Sequence, residues 1–547
     1  MFYSIVPLLI SSLGIFRTPH SIRKKKGYST MLKVVSLFSS FLALLLILMF
    51  PTTSEYSYFF REDTLSFIFA LLAAFMGFLT ILFSTWYVDE NEREFYSTML
   101  LVVASMIGLV ISNNIILMVV FWELTTMSSF GLIRMRGTDS AVAAANKAWI
   151  INQLGGIAIL VAASYSYLLG IHTIDALLGA GNMAIVSLLV LAAITKSAVF
   201  PFHPWLPGAM EAYTPVSALL HSASMVMAGV YLLIRLTPLI IAFPELRMLL
   251  IILGLLTILA SSMKAFVEED IKRILAYSTL TNIGMMVVCI AFATPFSIAA
   301  AIFHVICHAL FKASLFLEAG VFEHSLKTRS INKLVGVIDR LPITTFFFTL
   351  SSISAMGIPV TMGFLSKFAM YESTLPLVSL FLLFGTVLAL GYYACILGFF
   401  LARAGGKRMK ESLKSILAIA PLSLGSVLLA VYPYPITDAC AKAAQEIFNR
   451  DFAFPTLIDP QMLYLSLLLF AGALLVFNRR KLVVPFRSGE VIKGVGQTPS
   501  AQIDEIRRSA AAVYSFVDVD KAYVIIYPIG NFISEKLEYI HSLLEVK

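Results

Sequence analysis

Charged side chains are scarce in this chain. Asp, Glu, Lys and Arg make up 13% of its 547 residues, roughly half of what a soluble domain carries. That alone excludes an ordinary water-soluble globule. Cysteine is scarce too. Cys289, Cys307, Cys395 and Cys440 show no C-x-x-C or other metal-ligand spacing, and the first three lie in apolar runs, where cysteine packs as a small hydrophobe. Neither a Gly-rich dinucleotide loop nor a phosphate loop occurs. No metal, flavin, nucleotide or iron–sulfur cluster is therefore expected in this chain. Any electrons of a redox assembly would travel in other subunits.

Hydrophobicity is what abounds, at 59% of residues and a mean hydropathy of +0.88. Apolar runs of about 18 to 25 residues, each able to cross ~30 Å of hydrocarbon, recur along most of the length. Their centres lie near residues 9, 41, 76, 104, 124, 158, 192, 226, 256, 282, 310, 352, 390, 424 and 469. The first has no small-residue cleavage site after it and reads as a retained span. The net charge of +8 is not a nucleic-acid footprint, because of where it sits. With the N-terminus outside, the basic runs at Arg23 to Lys26, Arg134 with Arg136, Lys327 to Arg340, Arg403 to Lys414 and Arg479 to Lys481 all fall on the cytoplasmic side. This is the positive-inside bias, and no nucleic-acid partner is expected.

Against that background a few mid-depth charges stand out. TKSAVFPFHPWLP (from Thr195) places Lys196 just before Pro201, Pro204 and Pro207, each of which removes a backbone donor and breaks a helix. Broken backbone survives in a bilayer only where it is buried in protein or lines a watery cavity, so a lysine there suggests an ion pathway. The competing reading is a lysine that snorkels to the interface. A new run opens at Pro215 and carries Ser217, His221 and Ser224 on one helical face. That face suits a water chain or, alternatively, close packing between helices. The run from Asn114 to Met135 puts Glu123 near mid-span, at a cost of ~2.5 to 3.5 kcal/mol. His304, His308 and Lys312 share one face over ~12 Å of helix. Zinc would need further ligands, and none is placed for it, which favours a proton relay. SAMGIPVTMGFLSKFAM (from Ser354) breaks again at Gly357, Pro359 and Gly363, then presents Lys367. The two breaks lie about 158 residues apart, and LTTMSSFGL (from Leu124) aligns loosely with YSTLTNIGM (from Tyr277) about 153 residues on. An internal repeat of two related bundles is expected.

The motifs also carry a likeness. K-S-A-x-x-P-x-x-x-W-L-P-x-A-M from Lys196, T-P-V-S-A-L-x-H from Thr214 and M-V-x-A-G-V-Y-L-x-x-R from Met225 resemble the antiporter-like subunits. So do DIKRILAYST from Asp270 and FHVICHALFKASLFLEAG from Phe303. Such subunits occur in respiratory complex I, in multisubunit cation/proton antiporters and in energy-converting membrane hydrogenases. The resemblance covers roughly Phe95 to Phe400. It implies two inverted-repeat five-helix bundles, each with a discontinuous helix, and a pairing of Glu123 with Lys196 that gates proton release. It also implies a second ionisable group at Lys367, where some members carry glutamate. The partners it implies are other membrane subunits, antiporter-like paralogues among them, and a peripheral redox module holding iron–sulfur clusters and other redox cofactors.

The expected protein is thus an all-α polytopic membrane protein with about 14–15 transmembrane helices. Three N-terminal helices (1–90) precede the two bundles (91–240 and 244–405). C-terminal transmembrane helices (410–480) follow, then a cytoplasmic linker and amphipathic helix (481–547). The expected function is ion translocation, most simply of protons, through Glu123, Lys196, His221, His304, His308, Lys312 and Lys367. The setting is a redox-driven translocase in the cell membrane, with the N-terminus outside. The alternatives are membership of a sodium/proton antiporter complex and, more remotely, a stand-alone solute carrier.

Overall fold

The computed structural model describes residues 1–18, 27–50 and 55–455. The basic run at 23–26, the expected span near residue 469, and the expected linker and amphipathic helix of 481–547 lie outside the described residues. Within them the chain is helical throughout, apart from a two-stranded antiparallel hairpin that pairs β1 (Glu55–Tyr56) with β2 (Arg61–Glu62).

Three helices open the fold: α1 (Ile5–Phe16), α2 (Tyr28–Met49) and α3 (Thr64–Tyr87). Two five-member runs follow with the same order of elements. The first comprises α4 (Glu92–Ile111), α5 (Ile115–Arg134), α6 (Asp139–Leu168), α7 (Met183–Lys196) with its break, and the pair α8 (Thr214–Ser222) and α9 (Met225–Arg235). The second comprises α10 (Pro244–Val267), α11 (Ile271–Phe292), α12 (Pro295–Leu326), α13 (Pro342–Met356) broken from α14 (Met362–Glu372), and α15 (Pro376–Leu401). The described chain ends with α16 (Leu413–Leu428) and α17 (Tyr434–Phe448). Ten helices among the described residues are long and apolar enough to cross a membrane, and four shorter apolar ones complete them. Every expected centre up to residue 424 falls in one of these helices. α17 was not anticipated, because its sequence reads only as mixed charge.

Short polar residues start the helices, as capping chemistry requires. Asn114, Thr138, Asn182 and Thr361 accept backbone N–H groups in the first turns of α5, α6, α7 and α14. Thr294 and Ser297 form a reciprocal capping box on α12. Burial sorts centre from rim. The α8–α9 span and α11 are wholly buried in their apolar windows and α12 is 94% buried, against 39% for α2 and 44% for α10. α12 is the axis.

Ion pairs sort the helix ends into two faces. On one face, Arg136 donates to Glu323 at 3.1 Å, Arg329 pairs with Asp270 at 2.9 Å and Glu211 at 3.3 Å, and Tyr87 meets Thr214 at 3.2 Å. Met409 N–H donates to the Arg340 carbonyl at 2.8 Å, so the described basic connections share this face, as the charge bias anticipates. The opposite face holds Arg61 bonded to Asp63 and Asp175, Arg235 clamped on Asp63, and Glu446 bonded to Thr64. Two further charges are paired on the first face. Lys33 pairs with Glu92 at 2.7 Å. Asp270, besides pairing with Arg329, caps α11 by accepting from Lys272 N–H at 2.9 Å.

Both breaks end on one terminator. After α7, Val199 N–H reaches the Ile194 carbonyl at 2.9 Å and Ala198 N–H the Thr195 carbonyl at 3.2 Å, with Ala198 left-handed at φ 54°. After α13, Ile358 N–H reaches Ile353 at 3.2 Å and Gly357 N–H reaches Ser354 at 2.9 Å, with Gly357 at φ 75°. This is the Schellman arrangement. Glycine suits the second site doubly, since a Cβ there would lie 3.1 Å from Lys367 Cδ. Ser224 departs from expectation. The chain breaks once more between α8 and α9, where Ser224 Oγ donates to the Leu219 carbonyl at 3.0 Å, so it leaves the face shared by Ser217 and His221.

Candidate ion-translocation site

The breaks leave lysines inside the protein, and each is held by neutral oxygen. Lys196, the last residue of α7, is fully buried, and its Nζ donates to the Trp122 carbonyl at 2.9 Å and to Thr126 Oγ1 at 2.5 Å on α5. It also lies 4.8 Å from the Trp122 ring centre, close enough for a cation–π contribution. Lys312 on α12 is fully buried and donates to the Leu275 carbonyl at 3.0 Å, Ser278 Oγ at 2.6 Å and Tyr393 OH at 3.3 Å. Leu275 on α11 stands 153 residues after Trp122 on α5. The loose sequence alignment therefore marks one docking place used twice. A lysine from the fourth element fills it in the first run, and a lysine from the third fills it in the second. Lys367 on α14 reaches back across the second break to the Ala355 carbonyl at 2.7 Å, in the last turn of α13, where the helix dipole favours a cation.

The expected pair of Glu123 and Lys196 is not made directly. No ion pair within 4 Å joins them among the described residues. Glu123 is half-buried, its Oε2 accepts from Gln153 Nε2 at 3.0 Å, and its Oε1 has no partner among the described residues. The reason is local. Lys196 docks on the carbonyl and hydroxyl side of α5, at Trp122 and Thr126, while Glu123, one residue on, points about 100° round the helix toward α6.

The histidines divide into one anchored ring and two open ones. His304 Nδ1 lies 2.9 Å from Ser366 Oγ and its Nε2 2.9 Å from Asn282 Oδ1. Asn282 Nδ2 donates to the Ser278 carbonyl at 2.6 Å, which leaves Oδ1 as acceptor and assigns the His304 proton to Nε2. His308 and His221 are fully buried, and neither ring offers a nitrogen to any described protein partner; Ser217 Oγ is likewise unpartnered. The His304 and His308 rings are 6.3 Å apart, and His221 packs on Phe316 at 4.7 Å. Buried polar groups left bare in this way are usually satisfied by internal water. The structure thus gathers Lys196, His221, His304, His308, Lys312 and Lys367 in the buried middle of the molecule, with Glu123 at its edge.

These positions lie within residues 112–391, the stretch that matches the family described as NADH:quinone oxidoreductase/Mrp antiporter, TM. The chain belongs to this family. The match takes in the two runs of the fold apart from α4 and the last turns of α15. Among curated relatives, a probable K(+)/H(+) antiporter subunit of Rhizobium meliloti is 39% identical over 319 residues, covering 56% of this chain and 32% of the relative. An Na(+)/H(+) antiporter subunit of Alkalihalophilus pseudofirmus is 40% identical over 332 residues, covering 56% and 41%. The chain spans well under half the length of these relatives. Among solved structures, the Mrp complex from Dietzia sp. DQ12-45-1b matches with a TM-score of 0.72 and 28% identity, over 94% of this chain and 60% of that one. A chain of the membrane-bound sulfane sulfur reductase, an archaeal respiratory membrane complex, matches with a TM-score of 0.73 and 22% identity, over 81% and 96%. That second likeness is one of fold.

Among the described charged residues at 0% exposure, Lys272 and Glu318 went unread in the sequence. Lys272 stands in DIKRILAYST and looks like part of a charged connection. It is fully buried, with Nζ on the Ala212 carbonyl at 2.8 Å and 3.8 Å from Glu323. Glu318 stands in FHVICHALFKASLFLEAG and is also fully buried. A search at steps of four from His304 passes it by, because it lies six residues beyond Lys312.

Proposed function

We propose that this chain translocates protons through Lys196, Lys312 and Lys367, with His221, His304, His308 and internal water between them and Glu123 at the entrance, as one component of a multisubunit membrane complex. One observation supports this reading above the rest. All three lysines are buried on neutral carbonyls, hydroxyls or a phenol, with no carboxylate within 4 Å among the described residues. A buried lysine held in this way can lose and regain its proton without stranding a counter-charge. Lys272 and Lys33, which keep carboxylate partners, are structural by the same criterion.

Cation/proton exchange is the favoured setting, because the similar curated proteins carry K(+)/H(+) and Na(+)/H(+) antiporter names. A redox-driven assembly, its iron–sulfur clusters in a peripheral module, is the second reading. It draws on the family description, which includes NADH:quinone oxidoreductase. The intact complex, purified with its co-migrating subunits and sealed into vesicles, separates the two. Under exchange, a sodium or potassium pulse collapses an imposed pH gradient with no electron donor present. Flux that appears only with donor and acceptor together would reject exchange, and no flux under either condition would reject translocation.

Orientation follows from charge. The face bearing the connections at 327–340 and 403–414 is cytoplasmic in this proposal, which puts the N-terminus outside in the cell membrane. Lys407 is exposed on that face. A cysteine introduced there by Lys407→Cys should resist an impermeant thiol reagent on intact cells and react once they are opened; labelling of intact cells would invert the assignment.

A further inference from the structure

Glu318 sits away from the row of lysines. Six residues beyond Lys312 is about 240° round a helix, so while Lys312 faces α11 and α15, Glu318 faces α13 and α16. Three serines from three helices meet it there. Ser314 Oγ of α12 donates to Glu318 Oε1 at 2.8 Å, Ser423 Oγ of α16 at 2.9 Å and Ser351 Oγ of α13 at 3.2 Å. The serines also touch one another, Ser314 to Ser423 at 2.5 Å and Ser351 to Ser423 at 3.0 Å. Oε2 is buried with no described protein partner. No basic side chain lies within ion-pairing distance of the carboxyl among the described residues.

The donor set narrows what this cage can be. All three hydroxyls converge on Oε1, so a proton of the carboxyl itself belongs on Oε2, which has no partner among the described residues. A buried carboxylate with no counter-charge is also costly enough that such a group takes up a proton instead. A calcium-sized cation fits the cage poorly. Octahedral oxygens at about 2.4 Å from such an ion would stand about 3.4 Å apart, and the observed contacts are all shorter. The opening of α13 is close at hand. Ser351 lies one turn before Ser354 and Ala355, whose carbonyls close the terminator and hold Lys367, and Ser352 Oγ is buried with no partner among the described residues. The titratable groups on the elements packed around α12 include His308 and Lys312 on α12 itself, His221 on α8, Lys367 on α14, Tyr393 on α15 and Cys440 on α17. None of them hydrogen-bonds to Glu318.

We propose that Glu318, with Ser314, Ser351 and Ser423, forms a second proton-binding site beside the lysine row, in which the carboxyl carries one proton that exchanges with water through its free Oε2. The chemistry is a single O–H bond made or broken at the carboxyl, with water as the other partner. The site stands on its own geometry and does not depend on which ion the lysine row moves.

Infrared difference spectra of the intact complex test it without any transport assay, so this proposal and the proposed function fail separately. The wild-type complex should show a protonated-carboxyl stretch that Glu318→Gln removes and that shifts down in heavy water. A hydrophobic carbodiimide, which attacks protonated carboxyls in apolar surroundings, should modify the α12 peptide of the wild type. Should Glu318→Gln fail to assemble, the double variant Ser351→Ala/Ser423→Ala keeps the carboxyl and should displace the same band by withdrawing two donors. A band that survives Glu318→Gln or ignores the double variant overturns the assignment. So does one that never shifts in heavy water, which would mark a trapped structural proton. A band erased by sodium or potassium at constant pH would make this a cation site, and would overturn it equally.

Discussion

Replacing Lys312 by methionine should leave the complex assembled and abolish its proton flux. Methionine keeps much of the length and apolar volume of lysine. The groups it abandons are not stranded, because Ser278 and Tyr393 remain 3.1 Å apart and can bond to each other. Removing a buried charge that has no ionic partner also lifts a desolvation cost. On translocon scales that cost is ~2.5 to 3.5 kcal/mol for such a residue at mid-span. Stability is therefore expected to hold or rise slightly. Flux should fall by about a hundredfold or more, the usual size of a lost proton-transfer group. Lys312→Arg makes the test sharper. It restores the positive charge, but a guanidinium stays protonated in proteins, so if titration is what matters, arginine is as inactive as methionine. Vesicle flux normalised to assembled complex decides it. Activity in the arginine variant would reduce Lys312 to a fixed charge, and activity in both variants would reduce it to packing.

The helices were legible because length and polarity determine them. A span of about twenty apolar residues has one solution in a bilayer, and the prolines and glycines that interrupt two of those spans sit where the chain does open. The row of buried lysines and histidines was legible for the same reason. Charge within a long apolar run is conspicuous, and helical spacing shows which residues share a face. Partnership was not legible. Glu123 and Lys196 both lie at mid-depth, yet the choice between a carboxylate partner and the Trp122 carbonyl depends on how α5 is rotated against α7, which spacing along one chain does not encode. Lys272 and Glu318 were hidden by their company, one inside a run of charges at a helix start and the other outside the i, i+4 rhythm of its own helix. Asp270 and Lys33 could not be paired from sequence either, because their partners, Arg329 and Glu92, are each 59 residues away. The repeat shows the limit most plainly. Sequence aligned α5 with α11, but only the packed helices reveal that two lysines from non-equivalent elements occupy the equivalent docking place.

The largest loss of stability is expected from Asp63. Arg235 at the end of α9 donates to both carboxylate oxygens, at 2.5 and 2.9 Å, and Arg61 Nε adds a third bond at 2.9 Å. Ser66 N–H donates to Oδ1 at 2.9 Å, so the same carboxylate caps α3. Asp63 and Arg235 are 1% and 3% exposed. Burial works against ionising Asp63, but the guanidiniums of Arg235 and Arg61 outweigh it and hold its carboxyl below the usual range. A depressed folded pKa means that the contribution is complete above the unfolded value of about 3.9 and is lost as pH falls below it. Asp63→Ala removes the cap and leaves the Arg235 guanidinium buried without its main partner. Stranding a buried charge costs about 3 to 5 kcal/mol, and losing the cap adds about 1 kcal/mol. Asp63→Asn keeps an oxygen for the cap and should cost less. The thermal midpoint of the solubilised complex should fall most for Asp63→Ala, less for Asp63→Asn, and recover in part for Asp63→Asn/Arg235→Met, where the stranded cation is gone. The pair joins the three N-terminal helices to the first five-member run. Its loss should therefore detach α1–α3 before it disturbs α12, and earlier backbone hydrogen exchange in α3 than in α12 would show that order. Equal midpoints for wild type and Asp63→Ala would mean that the clamp is dispensable and that the packing of α1 and α3 on α4, with the Lys33–Glu92 and Tyr87–Thr214 contacts, holds the two parts together.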